Sequence, residues 1–127
     1  GTFRGNNLAF VTATTALEHY WQDERFALEI QEKEQIIRNC LENICQSYPE
    51  AALGVRGRGL IQGLVFAKRP ELAGKVAAQC FKNGLIIETS GAHDEVLKLL
   101  PALTIETALL RKGMAIIEQS VAEVVAA

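Results

Sequence analysis

The sequence predicts a single α+β domain, a small mixed β-sheet with helices packed on one face. Three observations predict it. Apolar residues recur at helical spacing in four separate segments. Short runs of Val, Leu, Ile and Phe, punctuated by Gly, lie between those segments as strands do. No linker, internal repeat or low-complexity tract divides the 127 residues, a length that fits one ordinary domain. The element order reads α-α-β-β-α-β-β-α, which a sheet covered by helices accommodates.

The first helix is expected over 6–21. Asn6 stands as its N-cap, because a side-chain oxygen there can accept an orphan N–H of the first turn. Ala9, Ala13 and Ala16 form a stripe of small residues that would let another backbone approach closely. The second helix is expected over 23–48, with Asp23 as its cap. Phe26, Ile30, Ile37, Leu41 and Ile44 follow helical spacing. Glu29 with Lys33, and Glu34 with Arg38, read as i,i+4 ion pairs on the solvated side.

Residues 53–67 read as two short strands with a bend or bulge at Gly57 and Gly59. A helix follows over 70–84, with Pro70 near its first turn, Leu72, Val76, Cys80 and Phe81 on its apolar face, and Asn83-Gly84 as the stop. Residues 85–89 read as a buried strand, 90–95 as a polar turn and 96–100 as another strand closed by Pro101. A last helix is expected over 105–125, with Leu110, Met114, Ile117, Val121 and Val124 on one side.

Composition narrows the function. Apolar residues make up 49% of the chain, enough for a real core. A net charge of −2 gives no electrostatic footprint for nucleic acid or an anionic membrane, so neither is expected as a partner. No apolar run reaches the roughly 18 residues a bilayer-crossing helix needs. The three cysteines, Cys40, Cys45 and Cys80, are odd in number and form no C-x-x-C pair, which points to reduced thiols and a cytoplasmic location. No metal site is expected.

Local motifs carry little chemistry by themselves. The glycines of GVRGRGLIQG could cradle a phosphate, but the stretch leads into a strand and matches neither dinucleotide-binding nor P-loop spacing. His19 and His93 lack a companion at triad or ligand spacing. Lys98 interrupts the apolar run VLKLLP. It is either an edge-strand residue reaching to water or a cation aimed at a ligand. No catalytic constellation is complete within the chain.

Four segments nevertheless share one pattern. GTFRGNNLAF resembles the G-G-T-x-x-G-N-P-L-A segment of class III pyridoxal-phosphate aminotransferases. VRGRGLIQGLVF resembles their V-R-G-x-G-L-x-x-G strand pair. CFKNGLIIETSG resembles the helix and Asn-Gly turn that lead into their next strand. VLKLLPALTI resembles their R-F-x-P-P-L-x-I segment. The four occur in the family's order and spacing over nearly the whole chain, and the wording is most similar to the diaminobutyrate–2-oxoglutarate branch.

The resemblance implies that residues 1–127 are the C-terminal small domain of a fold-type I pyridoxal-phosphate enzyme, and that a large cofactor domain lies outside this chain. It implies transfer of an amino group between L-glutamate and L-aspartate 4-semialdehyde, giving 2-oxoglutarate and L-2,4-diaminobutyrate, in ectoine or siderophore biosynthesis. The partners implied are that large domain, a second copy in a homodimer or higher oligomer, and small amino-acid and oxo-acid substrates. Gly1 and Thr2 fall on the loop that binds the cofactor phosphate across the dimer interface. Lys98 falls where an Arg often holds the substrate α-carboxylate; an ammonium neutralises a carboxylate but lacks the bidentate fork. The lysine that carries the cofactor lies upstream in the family, and none of the six lysines here matches it. The isolated chain is therefore expected to be inactive and not to hold the cofactor stably. The other reading is a free-standing, non-catalytic ligand-binding or regulatory α+β domain.

Overall fold

A computed structural model describes residues 1–51 and 53–125. Its elements are α1 (Asn7–Tyr20), α2 (Arg25–Ser47), a 3-10 turn (Pro49–Ala51), β1 (Leu53–Arg58), β2 (Ile61–Phe66), α3 (Glu71–Lys82), β3 (Glu88–Ser90), β4 (Val96–Leu99) and α4 (Thr107–Val125). The order is the one the periodicities predict, and the α+β class stands.

The sheet differs from expectation in one respect. It has the order β1-β2-β4-β3, and each pairing is antiparallel, not mixed. The helical connection α3 does carry the chain from β2 to a strand running the same way, β3. β4 then enters between them in the opposite direction, a split β-α-β arrangement. The parallel relationship is real, but the two strands never touch.

β1 and β2 form a tight hairpin in which Arg58 pairs with Ile61. Gly57 sits at φ +112°, and a Cβ there would run into the Ile61 carbonyl oxygen and lie 2.7 Å from the Gln62 Cα. Only glycine closes the hairpin this way.

Strand alternation decides which face is buried. Leu64 and Phe66 of β2 and Leu97 and Leu99 of β4 join one core with Ile37, Leu41 and Ile44 of α2, Leu72, Val76 and Cys80 of α3, and Leu110, Met114, Ile117 and Val121 of α4. Each Val, Leu, Ile, Phe or Met side chain among them contributes roughly 1.5–3 kcal/mol relative to exposure. α2 and α3 lie on the sheet, and α4 packs against both helices. The opposite sheet face carries Arg56, Gly63, Val65, Val96, Lys98 and Glu88 and lies outside that core.

Several local expectations change. Lys33 is not on a solvated face: it is 7% exposed, and its Nζ donates to the Leu103 carbonyl at 3.0 Å. The 103–104 segment covers this turn of α2, so the Glu29–Lys33 pair does not form. Arg38 donates instead to the Gly57 carbonyl at 2.8 Å, leaving Glu34 without it. Asp23 does accept the Arg25 N–H at 2.9 Å, but the N-cap position of α2 is Glu24, which makes no side-chain cap bond. Residues 85–87 do not pair into the sheet. Leu85 and Ile87 pack against the core, whereas Ile86 is 83% exposed. Phe81 also turns outward at 69% exposure.

α1 is a different kind of element. Asn6 caps it as expected, its Oδ1 accepting from Leu8 N at 2.9 Å and Ala9 N at 3.4 Å. Yet α1 has no buried residue, and Leu8, Phe10, Val11 and Leu17 are all exposed. Its C-terminal end meets α2 through aromatic contacts, Tyr20 with Phe26 at 4.9 Å and Trp21 with Phe26 at 5.1 Å between ring centroids. Among the described residues no helix is long and apolar enough to cross a membrane.

Candidate functional site

Lys98 occupies the third position of β4. Its neighbours Leu97 and Leu99 point into the core, so alternation sends Lys98 to the opposite face. There its Nζ lies 3.1 Å from Oε2 of Glu88, directly opposite on β3. On its other side the register partner is Gly63 of β2, which offers no side chain. A Cβ on Gly63 would lie 2.5 Å from Cγ1 of Val96, so the position is closed to larger residues by packing. Arg56 of β1 continues the same row beyond Gly63. The sheet thus sets Arg56, Gly63, Lys98 and Glu88 side by side, two cations flanking a bare position and one carboxylate on the edge strand.

A groove of about 590 Å³ opens beside this row. Glu88, Lys98 and Lys112 contribute polar groups to its wall, and Leu85, Ile87, Leu99, Ile105 and Leu109 make much of the remainder. A mostly apolar hollow with a few polar groups is the ordinary form of a small-molecule site.

Gly1 and Thr2 lie elsewhere, in the turn that precedes α1. The Gly1 carbonyl accepts from Arg4 N at 2.9 Å. The Thr2 side chain is exposed and makes no hydrogen bond among the described residues. A hydroxyl of this kind can donate one hydrogen bond. The end of α1 adds little, because Asn6 already takes the Leu8 and Ala9 N–H groups. No hydrogen bond joins this loop to β4 among the described residues.

The remaining singled-out groups serve local structure. His19 packs edge-on against Tyr20 with ring centroids 4.6 Å apart. The His93 N–H donates to Glu95 Oε2 at 2.9 Å. Hydrogen bonds from its own backbone and from His93 hold the Glu95 carboxyl below its ordinary range. Partial burial pushes the Cys40 thiol up to about 11, with Glu118 adding to the rise, which keeps it in the less nucleophilic protonated form near neutral pH. Among the described residues no group of three His, Cys, Asp or Glu side chains could hold a metal ion.

Glu88 is the residue that sequence reasoning missed. Its significance lies in pairing, and the available signal was an acid and a base on two consecutive strands joined by the polar turn 90–95.

The antiparallel sheet of order β1-β2-β4-β3 under three helices is an architecture shared with known enzymes. The aminotransferase class-III family model matches residues 1–121, and the chain belongs to that family. It is 63% identical over 123 residues to a diaminobutyrate–2-oxoglutarate transaminase from Bordetella parapertussis, covering 97% of this chain and 28% of that protein. It is 45% identical over 126 residues to the enzyme of the same name from Marinococcus halophilus, covering 99% and 29%. The chain spans about 28% of the length of the curated relatives it matches. Among solved structures it resembles a phospholyase from Arthrobacter in complex with phosphoethanolamine, with a TM-score of 0.72 and 28% identity over 85% of this chain and 27% of that one. The fold is also that of N-acetylornithine aminotransferase from Stenotrophomonas maltophilia, with a TM-score of 0.72 and 24% identity over 82% of this chain and 28% of that one.

Proposed function

We propose that this chain is the small C-terminal domain of a longer pyridoxal-phosphate-dependent transaminase. The proposed enzyme exchanges an amino group between L-glutamate and L-aspartate 4-semialdehyde, yielding 2-oxoglutarate and L-2,4-diaminobutyrate. The observation that carries this reading is the 63% identity to a transaminase of that name over 97% of the chain. When bound, the cofactor supplies the electron sink that amino-group transfer needs. The Thr2 hydroxyl would donate to a phosphate oxygen, with Gly1 letting the loop backbone come close. Lys98 would neutralise a substrate carboxylate from the open face of the sheet.

Two of the lysines, Lys98 and Lys33, are already engaged within the chain. Lys98 pairs with Glu88, Lys33 is held by the Leu103 carbonyl, and both serve the geometry already described. The exposed apolar face of α1 supports docking of the large domain and assembly as a homodimer or higher oligomer. The free cysteines support a cytoplasmic location, and the resemblance supports a place in ectoine or siderophore synthesis.

The test compares two proteins. The full-length protein should form L-2,4-diaminobutyrate from the two substrates and carry one borohydride-reducible cofactor adduct per chain. The 127-residue chain alone, treated in the same way and mapped by mass spectrometry, should show neither turnover nor a stoichiometric adduct. A clean single-lysine adduct on the short chain would overturn the reading, and so would a full-length protein without transaminase activity.

A further inference from the structure

We propose that Glu88 is a positioning residue that tethers the Lys98 ammonium and sets how tightly the site takes a substrate carboxylate. The inference rests on the reading of Lys98 as the carboxylate-binding cation and adds to it a built-in competitor.

The geometry is specific. Glu88 and Lys98 are register partners on β3 and β4, and their charged atoms are 3.1 Å apart. The partner on the other flank is Gly63, so no side chain of β2 competes at that level. Arg56, the next group along the row, is a cation and cannot replace Glu88. Thr89 and Ser90 follow Glu88 on β3, and neither carries charge. Among the described residues Glu88 is therefore the only carboxylate on the neighbouring strands at this level of the sheet.

Exposure separates the two roles. The Lys98 side chain is 31% exposed and the Glu88 side chain 74%. The ammonium is held near the apolar wall of the groove, while its partner reaches it from the wet edge. An incoming carboxylate must take the place of Glu88 or share the ammonium with it. In water-exposed surroundings such a pair is weak enough to exchange, so Glu88 lowers affinity without abolishing it. In return it keeps the flexible lysine stem in one direction, which a lone Lys on an open strand would not maintain. The arrangement favours a ligand whose carboxylate is presented at the mouth of the groove and disfavours a neutral or cationic end there.

The experiment uses the full-length enzyme, with L-glutamate varied and KM and kcat measured separately. E88Q should lower KM for L-glutamate about two- to fivefold, the range an exposed pair commands, with kcat within about twofold of the parent. E88D should stay near the parent. K98M should raise KM, and the E88Q/K98M double variant should match K98M. Raising the ionic strength should shrink the difference between E88Q and the parent, because both competing attractions are screened. If K98M raises KM but E88Q leaves it unchanged or raises it, the Glu88 proposal fails and the Lys98 reading survives. A KM shift from E88Q that persists in the K98M background also overturns it, since Glu88 would then act without Lys98. If K98M leaves KM unchanged, the Lys98 reading itself fails.

Discussion

Replacing Gly63 with alanine tests whether the open face of the sheet is packed as tightly as its geometry requires. The new Cβ would stand 2.5 Å from Val96 Cγ1 and 3.4 Å from the Leu97 carbonyl oxygen. Comfortable carbon–carbon contact lies at about 3.5–4.0 Å, so roughly 1 Å of separation must be recovered. Val96 has little freedom to supply it, because a β-branched side chain is stiff at χ1. It is also 9% exposed and flanked in register by Val65 and Ser90. Overpacking of this kind costs about 1–3 kcal/mol. At about 4 °C per kcal/mol for a domain of this size, thermal unfolding followed by circular dichroism should shift down by about 4–12 °C. V96A removes the clashing methyl at a cost of its own, about 1.6 kcal/mol for two methyl groups. In that background the alanine at 63 should cost little, giving a coupling of about 1 kcal/mol or more in a double-mutant cycle. Additive effects, or a G63A variant that melts with its parent, would refute the packing argument.

Two further outcomes follow from titrating groups. Hydrogen bonds from Gln119, Asn83 and Gln79 hold the Glu123 carboxyl below its ordinary 4.5. Because the folded value lies below the unfolded one, this contribution is complete above about pH 4.5 and fades as pH falls through the folded value. E123Q should therefore flatten the acid limb of an unfolding titration and leave the limb above neutrality unchanged; superimposable acid limbs would contradict it. The thiols give the second test. Cys80 is fully buried, and Cys40 is pushed up to about 11. Iodoacetamide at pH 8 should label Cys40 and Cys80 slowly in the native chain, with all three cysteines reacting once urea unfolds it. Rapid native labelling of Cys40 would show that its thiol is neither half-buried nor protonated as described.

Much of this architecture could be read from residue order. The stripe Ile37, Leu41 and Ile44 and the stripe Leu110, Met114, Ile117 and Val121 mark their helices because each spans a face that must be buried. Asn6 announced the start of α1 because capping is a local event. What failed to show locally depends on distant partners. Lys33 looks solvated beside Glu29, and only the Leu103 carbonyl arriving 70 residues later makes it a buried donor. Leu85–Ile87 has strand composition, yet the pairing edge of β4 reaches only Glu88–Ser90. Lys98 stood out as a charge within an apolar run, whereas Glu88 looks like any edge acid until the register pairs them.

The insertion of β4 between β2 and β3 also dictates an order of events during synthesis. The β1–β2 hairpin closes within a few residues of its turn and can form early. β3 has no place beside it, because its sole neighbour is β4. Until Val96–Leu99 has left the ribosome, only a two-stranded ribbon exists, marginal in water, with the apolar faces of α2 and α3 awaiting a platform. The last quarter of the chain thus acts as the keystone, and truncations that stop short of residue 96 should leave aggregation-prone intermediates instead of a smaller domain.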